Sequence, residues 1–242
     1  MPSIYGVLPV LEALKAGGRR IDRIVIAEGV RDSRLREVLE AARNARVAIR
    51  REPRVALDRL THNANHQGVL AITSAASYAD ADDLLGGTSP NTIFVLLDGI
   101  EDPQNLGAII RTAECGGATA VIVPERRAAH VTEAVAKTSA GAVEHLPIAR
   151  VTNLASFIEQ LKRRNVWVVG VEASGQMPYT EFNYSGAIAL VFGGEGQGLH
   201  RLVRERCDAV VSVPMRGKVT SLNVSVAVGV VLFEALRQRS GN

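Results

Sequence analysis

The amino-acid sequence predicts an α/β protein whose second half contains a mainly parallel sheet. From Thr92 onward, short apolar runs alternate with stretches of helical periodicity, which is the pattern of strands joined by crossover helices. Glycines and polar residues directly follow three of these runs, as they do where parallel strands present their carboxyl ends to a ligand. A smaller alternation of the same kind occupies the first 75 residues, so a second, smaller α/β domain is expected.

The elements of the first 75 residues follow from their periodicity. Apolar residues recur at helical spacing from Val7 to Leu14, and Gly17 ends this helix. A strand is expected over residues 21–27, followed by a second apolar helix over residues 35–42. The remaining predicted elements are a strand over 47–49, a helix over 53–60 and a strand over 68–73.

Residues 76–91 predict a linker, because their composition shifts to Ser, Ala, Asp and Gly and only one turn is expected, around Leu84. The predicted domains are therefore residues 1–75 and 92–242. In the second domain we expect six strands, over residues 93–97, 120–123, 145–148, 166–171, 187–192 and 209–213.

The last helix is predicted over residues 222–237, although residues 223–230 alternate with period two, as a strand would. The helical interpretation rests on the continuation to Arg237 and on the basic residues near its end, which a helix C-terminus favours. A helix that is apolar around most of its circumference needs cover on most sides, from the sheet and from a second subunit.

Composition excludes several classes of protein. The chain has 242 residues with 47% hydrophobic and 22% charged content, and no apolar run reaches the roughly 18 residues of a membrane span. The N-terminus has no signal-peptide pattern, so a cytoplasmic protein is expected. Cys115 and Cys207 show no CxxC spacing, and one His pair four apart has no third ligand nearby, so no metal site is predicted.

Basic residues are concentrated at the start of the chain. Residues 1–60 hold 13 of the 28 Lys and Arg residues but only 8 of the 25 Asp and Glu residues. Because Arg pairs bidentately with phosphate oxygens, this asymmetry fits a module that docks on phosphates, and solvated helix faces explain it equally well. Only Tyr5 supplies an aromatic ring in residues 1–77, so binding through backbone and shape is expected rather than base stacking.

A glycine cluster, Gly193-Gly-Glu-Gly-Gln-Gly198, follows the fifth predicted strand. It does not match the GxGxxG register, no Lys-Ser/Thr follows it, and it does not lie on the first strand, so a dinucleotide or nucleoside triphosphate site is disfavoured. A tight turn would explain the glycines alone. Glu195 has little packing reason to lie among them, which indicates a functional site.

Two further segments carry polar residues at predicted strand ends. Asp102-Pro103 favours a turn, after which Asn105 heads a helix that also carries Arg111. Ser221 and Asn223 stand at the start of the last helix. Capping by Asn105 and Ser221 and a surface role for Arg111 are the simplest individual interpretations, but their joint occurrence at the strand ends of one sheet predicts a composite site.

The segments Asp102–Ala113, Phe192–Leu199 and Val213–Ala227 resemble the three signature motifs of the SpoU branch of the SPOUT-class RNA 2'-O-ribose methyltransferases. The resemblance covers residues 92–239. Ile4–Val7 and His66–Val69 resemble the ribosomal-protein-like, substrate-binding domain of bacterial 23S rRNA guanosine-2'-O-methyltransferases.

The resemblance implies a C-terminal fold with a trefoil knot, a homodimer with sites at the subunit interface, and methylation of a guanosine ribose in 23S rRNA. It implies S-adenosylmethionine as the methyl donor, with a cytoplasmic RNA as the partner. The implied donor-binding residues are Gly193, Gly194, Val213, Met215 and Leu222, near the strand end at residues 169–171. The implied catalytic residues are Asn105, Arg111, Glu195, Ser221 and Asn223.

Arg111 needs separate treatment, because a guanidinium stays protonated in proteins and is a poor base. We expect Arg111 to hold a phosphate and stabilise the developing alkoxide, while Glu195, an RNA phosphate or water accepts the proton. A tRNA ribose methyltransferase is the nearest alternative function. A non-catalytic RNA-binding factor on the same fold is the alternative from a different class.

Overall fold

The computed structural model describes residues 2–194 and 196–240. The chain divides into two compact units. The first comprises the chain up to Ser77 together with Val131–His145, and the second comprises Tyr78–His130 and the chain from Leu146 onward.

The elements in chain order are β1 (Ser3–Tyr5), α1 (Val7–Ala16), β2 (Ile21–Ala27), α2 (Arg36–Asn44), β3 (Ala48–Glu52), α3 (Arg54–Leu60), β4 (Val69–Thr73), α4 (Ala81–Gly86), β5 (Ile93–Asp98), α5 (Pro103–Cys115), β6 (Ala120–Pro124), α6 (Glu133–Thr138), β7 (Ile148–Val151), α7 (Leu154–Arg163), β8 (Trp167–Val171), β9 (Met177–Pro178), β10 (Ile188–Gly193), α8 (Arg201–Arg206), β11 (Ala209–Ser212) and α9 (Val224–Ser240).

The first unit is built on a four-stranded mixed sheet in the order β1-β4-β2-β3. Strand β4 is antiparallel to both β1 and β2, and β3 is parallel to β2. Helix α1 ends where Gly17 adopts a left-handed conformation (φ 63°) and its N–H bonds the carbonyl of Ala13, as the sequence predicts. Strand β1 was not predicted, because three residues give too little alternation to recognise.

A segment from later in the chain completes the first unit. The N–H and the hydroxyl of Ser3 both donate to Glu133 Oε1, at 2.9 and 2.6 Å. Arg19 donates to Glu144 at 2.8 Å. Ala136 is buried in the same apolar core as residues of α1 and β2. Residues 131–145 are thus held by the N-terminal unit through both polar and apolar contacts.

The second unit contains a sheet of seven parallel strands in the order β7-β6-β5-β10-β8-β11-β9. The parallel sheet is confirmed, but the expected number of six strands is wrong, because the two-residue strand β9 adds an edge pairing with β11. The strand predicted over residues 145–148 begins instead at Ile148. Pro147, which has no N–H to donate, directly precedes it.

The centre of this sheet is buried on both faces. Every residue of β5 is buried, and β10 is buried up to its final Gly193. Such near-continuous apolar strands are expected where helices cover both faces of a parallel sheet. Helix α4 lies within the predicted linker at the position of the expected turn, and its Leu85 is only 2% exposed.

Helix α9 confirms the helical interpretation of the last apolar segment and begins at Val224. Its buried face includes Val228, Val231 and Leu232. Leu232 lies so close to Gly116, at the end of α5, that a Cβ there would be 2.5 Å away from it. Val226 and Phe233, on the other side of α9, are each 50% exposed. The trefoil knot implied by the sequence resemblance stays a prediction.

Within the described part of the chain, no helix is both long and apolar enough to cross a bilayer.

Candidate functional site

Three adjacent strands bring the predicted motifs to one edge of the sheet. Strand β10 lies between β5 and β8, with Gly193 paired with Asp98 and Phe192 paired with Val171. All three strands run in the same direction, so their carboxyl ends meet. The chain segments that leave these ends surround two adjoining cavities.

The first cavity, which we call the glycine-lined cavity, has a volume of about 620 Å³. Every residue predicted to bind the donor contributes to its wall, as do two residues predicted to be catalytic. Its lining comprises Val171, Glu172, Ala173, Phe192, Gly193, Gly194, Gly196, Gly198, Val213, Met215, Thr220, Ser221, Leu222, Asn223, Val224 and Ala227. The wall is therefore made mainly of backbone and apolar side chains.

Backbone segments pack directly against each other beside this cavity. A Cβ placed on Gly193 would lie 2.1 Å from the carbonyl carbon of Gly198, and one on Gly194 would lie 2.4 Å from the carbonyl oxygen of Gly99. Neither distance is sterically possible, because the atoms that a Cβ would meet belong to the backbone. Glycine at these two positions is thus required for the turn to fold back on the strand ends.

Glu172 holds the glycine turn in place, and no sequence pattern indicated this role beyond its position after β8. Its carboxylate accepts hydrogen bonds from Ser174 Oγ (2.7 Å), Arg204 Nε (2.8 Å) and the N–H of Leu199 (3.2 Å). Burial opposes ionisation of this carboxyl, but these hydrogen bonds outweigh it, so the pKa of Glu172 is lowered from its ordinary value. A charged Glu172 therefore joins β8, the glycine turn and α8.

The second cavity, which we call the polar cavity, has a volume of about 420 Å³. It shares Gly194, Gly198 and Val224 with the glycine-lined cavity, so the two adjoin. The rest of its lining is rich in charged and polar side chains and comprises Asp98, Gly99, Ile100, Glu101, Asp102, Asn105, Arg127, Gln197 and His200.

A hydrogen bond links the walls of the two cavities. Asn223 Nδ2, in the glycine-lined cavity, donates to Asn105 Oδ1, in the polar cavity, at 2.9 Å. Both predicted residues therefore meet at the boundary.

The helix caps differ from the interpretations that were considered for Asn105 and Ser221. Asp102 caps α5 by accepting from the N–H of Gln104, so Asn105 lies inside the helix rather than at its cap. Asn223 rather than Ser221 caps α9, because Asn223 Oδ1 accepts from the N–H of Ser225 at 2.9 Å. The capping roles considered for Asn105 and Ser221 are therefore filled by Asp102 and Asn223.

The structure does not bring every predicted residue to the two cavities. Arg111 is exposed on α5, contributes to neither lining, and forms no salt bridge with any residue that the structure describes. Glu195 lies outside the described residues. Ser221 lines the glycine-lined cavity and is exposed.

Sequence reasoning missed a pair of residues in the polar cavity. Asp98, at the end of β5, accepts from the backbone N–H of His200 at 2.7 Å, and its other oxygen lies 2.9 Å from His200 Nδ1. The Asp98 side chain is 8% exposed and that of His200 is 42% exposed. Asp98 ends a strand and His200 lies two residues after the glycine cluster, but their pairing over 102 residues left no sequence signal.

No three His, Cys, Asp or Glu side chains in residues 2–194 and 196–240 are placed to share a metal ion.

Models of known protein families match segments in both units of the chain. Residues 92–233 match the model of the SpoU rRNA Methylase family, and residues 3–79 match the model for RNA 2'-O ribose methyltransferase substrate binding. The chain belongs to the SpoU family. A SpoU-family relative, the putative TrmH family tRNA/rRNA methyltransferase YacO of Bacillus subtilis, is 42% identical over 98% of this chain and 96% of its own length.

Several solved structures share the fold. The SpoU methyltransferase AviRb of Streptomyces viridochromogenes, crystallised with AdoMet, is 26% identical with a TM-score of 0.83, and the alignment covers 99% of this chain and 91% of AviRb. An AdoMet-bound rRNA methyltransferase of Sinorhizobium meliloti is 27% identical with a TM-score of 0.81, covering 97% and 86% of the two chains. A solved structure from work on the 2-OH methylation of C/U34 on tRNA is 30% identical with a TM-score of 0.58, and the alignment covers 63% of this chain and 99% of that one.

Proposed function

We propose that this protein transfers a methyl group from S-adenosylmethionine to a ribose 2'-hydroxyl of RNA, with a guanosine of 23S rRNA as the target. The membership in the SpoU family and the AdoMet-bound relatives support the reaction. The observation that carries the proposal in this chain is the convergence of Gly193, Gly194, Val213, Met215 and Leu222 on one cavity.

The glycine-lined cavity fits such a donor. Its volume of about 620 Å³ lies within the range of pockets for ligands of this size. Phe192, Val213 and Leu222 offer apolar contact, while Gly193 and Gly194 expose backbone N–H and C=O groups where side chains would block approach. These residues would hold the adenosine and methionine portions through backbone hydrogen bonds and apolar packing.

The bound donor supplies an activated methyl group on a sulfonium centre. The protein's tasks are to place the ribose 2'-oxygen in line with that group and to help remove its proton. Asn105 and Asn223, hydrogen bonded across the boundary of the two cavities, are placed to orient the ribose. Arg111 holds a phosphate or the developing alkoxide, because its guanidinium remains protonated. Glu195 and Ser221 complete the proposed catalytic set.

The first unit supports an RNA substrate. Ten of its arginines are exposed. Eight of these ten form no salt bridge with another described residue: Arg31, Arg34, Arg36, Arg43, Arg46, Arg50, Arg54 and Arg59. Tyr5, the one aromatic residue of the N-terminal 77, is buried, which leaves no ring there for base stacking. Binding is therefore expected through phosphates, with an affinity that falls steeply with salt concentration.

A homodimer is part of the proposal. Helix α9 leaves Val226 and Phe233 half exposed, and such apolar side chains are normally covered. Arg111 lies on α5, the helix whose C-terminal end packs against α9, and it lines neither cavity of its own chain. We expect a second copy to cover this face and to receive Arg111 at its own site. The trefoil knot and a cytoplasmic location complete the proposal.

The test is incubation of the protein with radiolabelled S-adenosylmethionine and either total rRNA or total tRNA from a bacterium. Label in 23S rRNA, located in a guanosine 2'-O-methyl nucleoside after digestion, is the expected result. Label in tRNA alone would favour the second candidate, a tRNA ribose methyltransferase, which the tRNA-modifying structural relative supports. RNA binding without transfer to either RNA would identify a non-catalytic binding factor.

A further inference from the structure

The polar cavity contains a histidine held in one orientation by a buried carboxylate. Asp98 receives the backbone N–H of His200 at one oxygen (2.7 Å) and faces His200 Nδ1 with the other (2.9 Å). With two contacts to the same residue, Asp98 fixes both the backbone position and the ring. An ionised carboxylate only accepts hydrogen bonds, so in a neutral imidazole that pairs with it Nδ1 carries the proton and Nε2 is the basic nitrogen.

Nε2 is the nitrogen available to a ligand. It makes no hydrogen bond with any residue in the described part of the chain, and the His200 side chain is 42% exposed while lining the polar cavity. A histidine oriented in this way by a buried acid has the arrangement of a general base whose tautomer is set by its partner.

The location of His200 matches the side from which the ribose would approach. The polar cavity adjoins the glycine-lined cavity through Gly194, Gly198 and Val224. Asn105, which lines the polar cavity with His200, bonds Asn223 in the wall of the other. A hydroxyl positioned at this boundary would therefore have the methyl donor on one side and His200 on the other.

We propose that His200 Nε2 accepts the proton of the ribose 2'-hydroxyl during methyl transfer, with Asp98 as its positioning residue. The O2'–H bond breaks and its proton passes to Nε2, while the oxygen forms a bond to the methyl carbon. The carbon–sulfur bond of the sulfonium donor breaks, and its electron pair stays on sulfur. The exposed imidazolium then returns the proton to water. This inference rests on the proposed function and names its proton acceptor.

The decisive variant is His200→Asn. An asparagine amide can still donate to Asp98 from near the position of Nδ1, so it preserves the orienting contact, but it has no basic nitrogen. Loss of a positioned general base typically lowers the rate by roughly 100- to 10,000-fold. We expect His200→Asn to lose this much of the single-turnover rate at saturating RNA and donor, while the Kd for S-adenosylmethionine and the Kd for RNA each stay within about twofold.

The matched control is His145→Asn. His145 is also paired with a carboxylate, Glu12, at 2.8 Å, but it belongs to the first unit and lines neither cavity. This variant should keep the wild-type single-turnover rate. Asp98→Asn should lower the rate as well, because an amide in place of the carboxylate no longer fixes the tautomer of His200.

The outcomes separate this inference from the proposed function. A wild-type protein that methylates RNA and a His200→Asn variant with a similar rate would overturn the role of His200 alone. A His200→Asn variant that loses donor binding together with activity would show a structural role for His200, and this also overturns the inference. A wild-type protein that transfers no methyl group to rRNA or tRNA would overturn both proposals.

Discussion

The two adjoining cavities differ in what forms their walls. The glycine-lined cavity is bounded by backbone and by apolar side chains such as Phe192, Val213 and Leu222. The polar cavity is bounded by Asp98, Glu101, Asp102, Arg127 and His200. They nevertheless share wall residues and begin at the ends of neighbouring strands.

This difference indicates a division of labour within one site. Backbone groups cannot titrate, so a cavity walled by them suits recognition of a ligand's shape and hydrogen-bonding edges. Ionisable side chains can move protons and hold phosphates, so they are placed where the nucleotide reacts. We therefore expect mutations in the glycine-lined cavity to change the Kd for the donor, and mutations in the polar cavity to change the rate of methyl transfer.

Apart from the loss expected for His200→Asn, the largest effect is expected outside both walls, at Arg111. Because we assign Arg111 to stabilisation of charge in the transition state, Arg111→Ala should lower the methyl-transfer rate by roughly 100- to 1,000-fold. Calorimetry should show an unchanged Kd for S-adenosylmethionine, since Arg111 contributes to neither cavity. A loss of donor binding would place Arg111 in folding or donor binding instead.

Mixed dimers show whether Arg111 acts on the neighbouring copy. A hybrid of Arg111→Ala and Gly193→Ala chains has one intact glycine-lined cavity, opposite a chain that still carries Arg111. At a donor concentration near the wild-type Kd, each variant alone should transfer slowly, and action across the interface predicts that mixing the two restores methylation. If mixing restores nothing while the hybrid forms, Arg111 serves its own chain.

Gly193→Ala should selectively damage the glycine-lined cavity. The new Cβ would lie 2.1 Å from backbone of Gly198, so the turn must shift. Such overpacking costs about 1–3 kcal/mol, which corresponds to roughly 5- to 150-fold in the Kd for the donor. Gly86→Ala is the control, because a Cβ there meets no atom within 4 Å. Equal Kd values for the donor in Gly193→Ala and Gly86→Ala would contradict the assignment of the glycine-lined cavity as the donor site.

The bond between Asn105 and Asn223 allows a comparison of the two walls with a single pair of variants. Asn105→Ala removes the acceptor in the polar cavity, so we expect a loss of about 1 kcal/mol, roughly fivefold in transfer rate, with unchanged donor affinity. Asn223→Ala also removes the cap of α9 and should lower the free energy of unfolding by about 1 kcal/mol. If both variants had the same transfer rate and the same Kd for the donor, the walls of the two cavities would not have separate functions.

The smallest expected effect is the pH dependence of the stability that the hydrogen bonds of Glu172 contribute. Its pKa in the folded protein is below the ordinary value of 4.5, so its contribution to stability is complete above pH 4.5 and is lost as the pH falls through the lower folded value. Glu172→Gln should therefore lose about 1 kcal/mol of unfolding free energy at pH 7, and this difference from wild type should shrink on acidification. Urea unfolding at several pH values measures it.

Glu159→Gln is the control for that experiment, since Glu159 pairs with Arg206 at 2.8 Å and lines neither cavity. It should change stability little. A Glu172→Gln variant whose difference from wild type is constant with pH would contradict the lowered pKa.

Much of the fold was predictable, because parallel strands and amphipathic helices leave periodic patterns. The last helix was predicted over residues 222–237 despite its strand-like alternation, and the structure has it over Val224–Ser240. The sequence also placed Asn105 and Asn223 at one site from their position after strands. Strand β9 escaped prediction, because two residues carry no period, and Pro178 is unusual in a strand.

The contacts within the site were less predictable than its location. The pairing of Asp98 with His200 spans 102 residues and depends on the order of strands in the sheet, which local patterns do not record. The cap of α9 was misplaced by two residues, because Ser221 and Asn223 are both good caps and only the backbone path decides between them.

The segment Val131–His145 has a consequence for synthesis of the chain. It belongs to the first unit, where Glu133 binds Ser3 across 130 residues, but it is translated only after β5, α5 and β6 of the second unit. The N-terminal unit therefore cannot finish folding on the ribosome before much of the second unit has emerged. Folding of the two units is interleaved in time, in contrast to the common order in which an N-terminal domain is completed first.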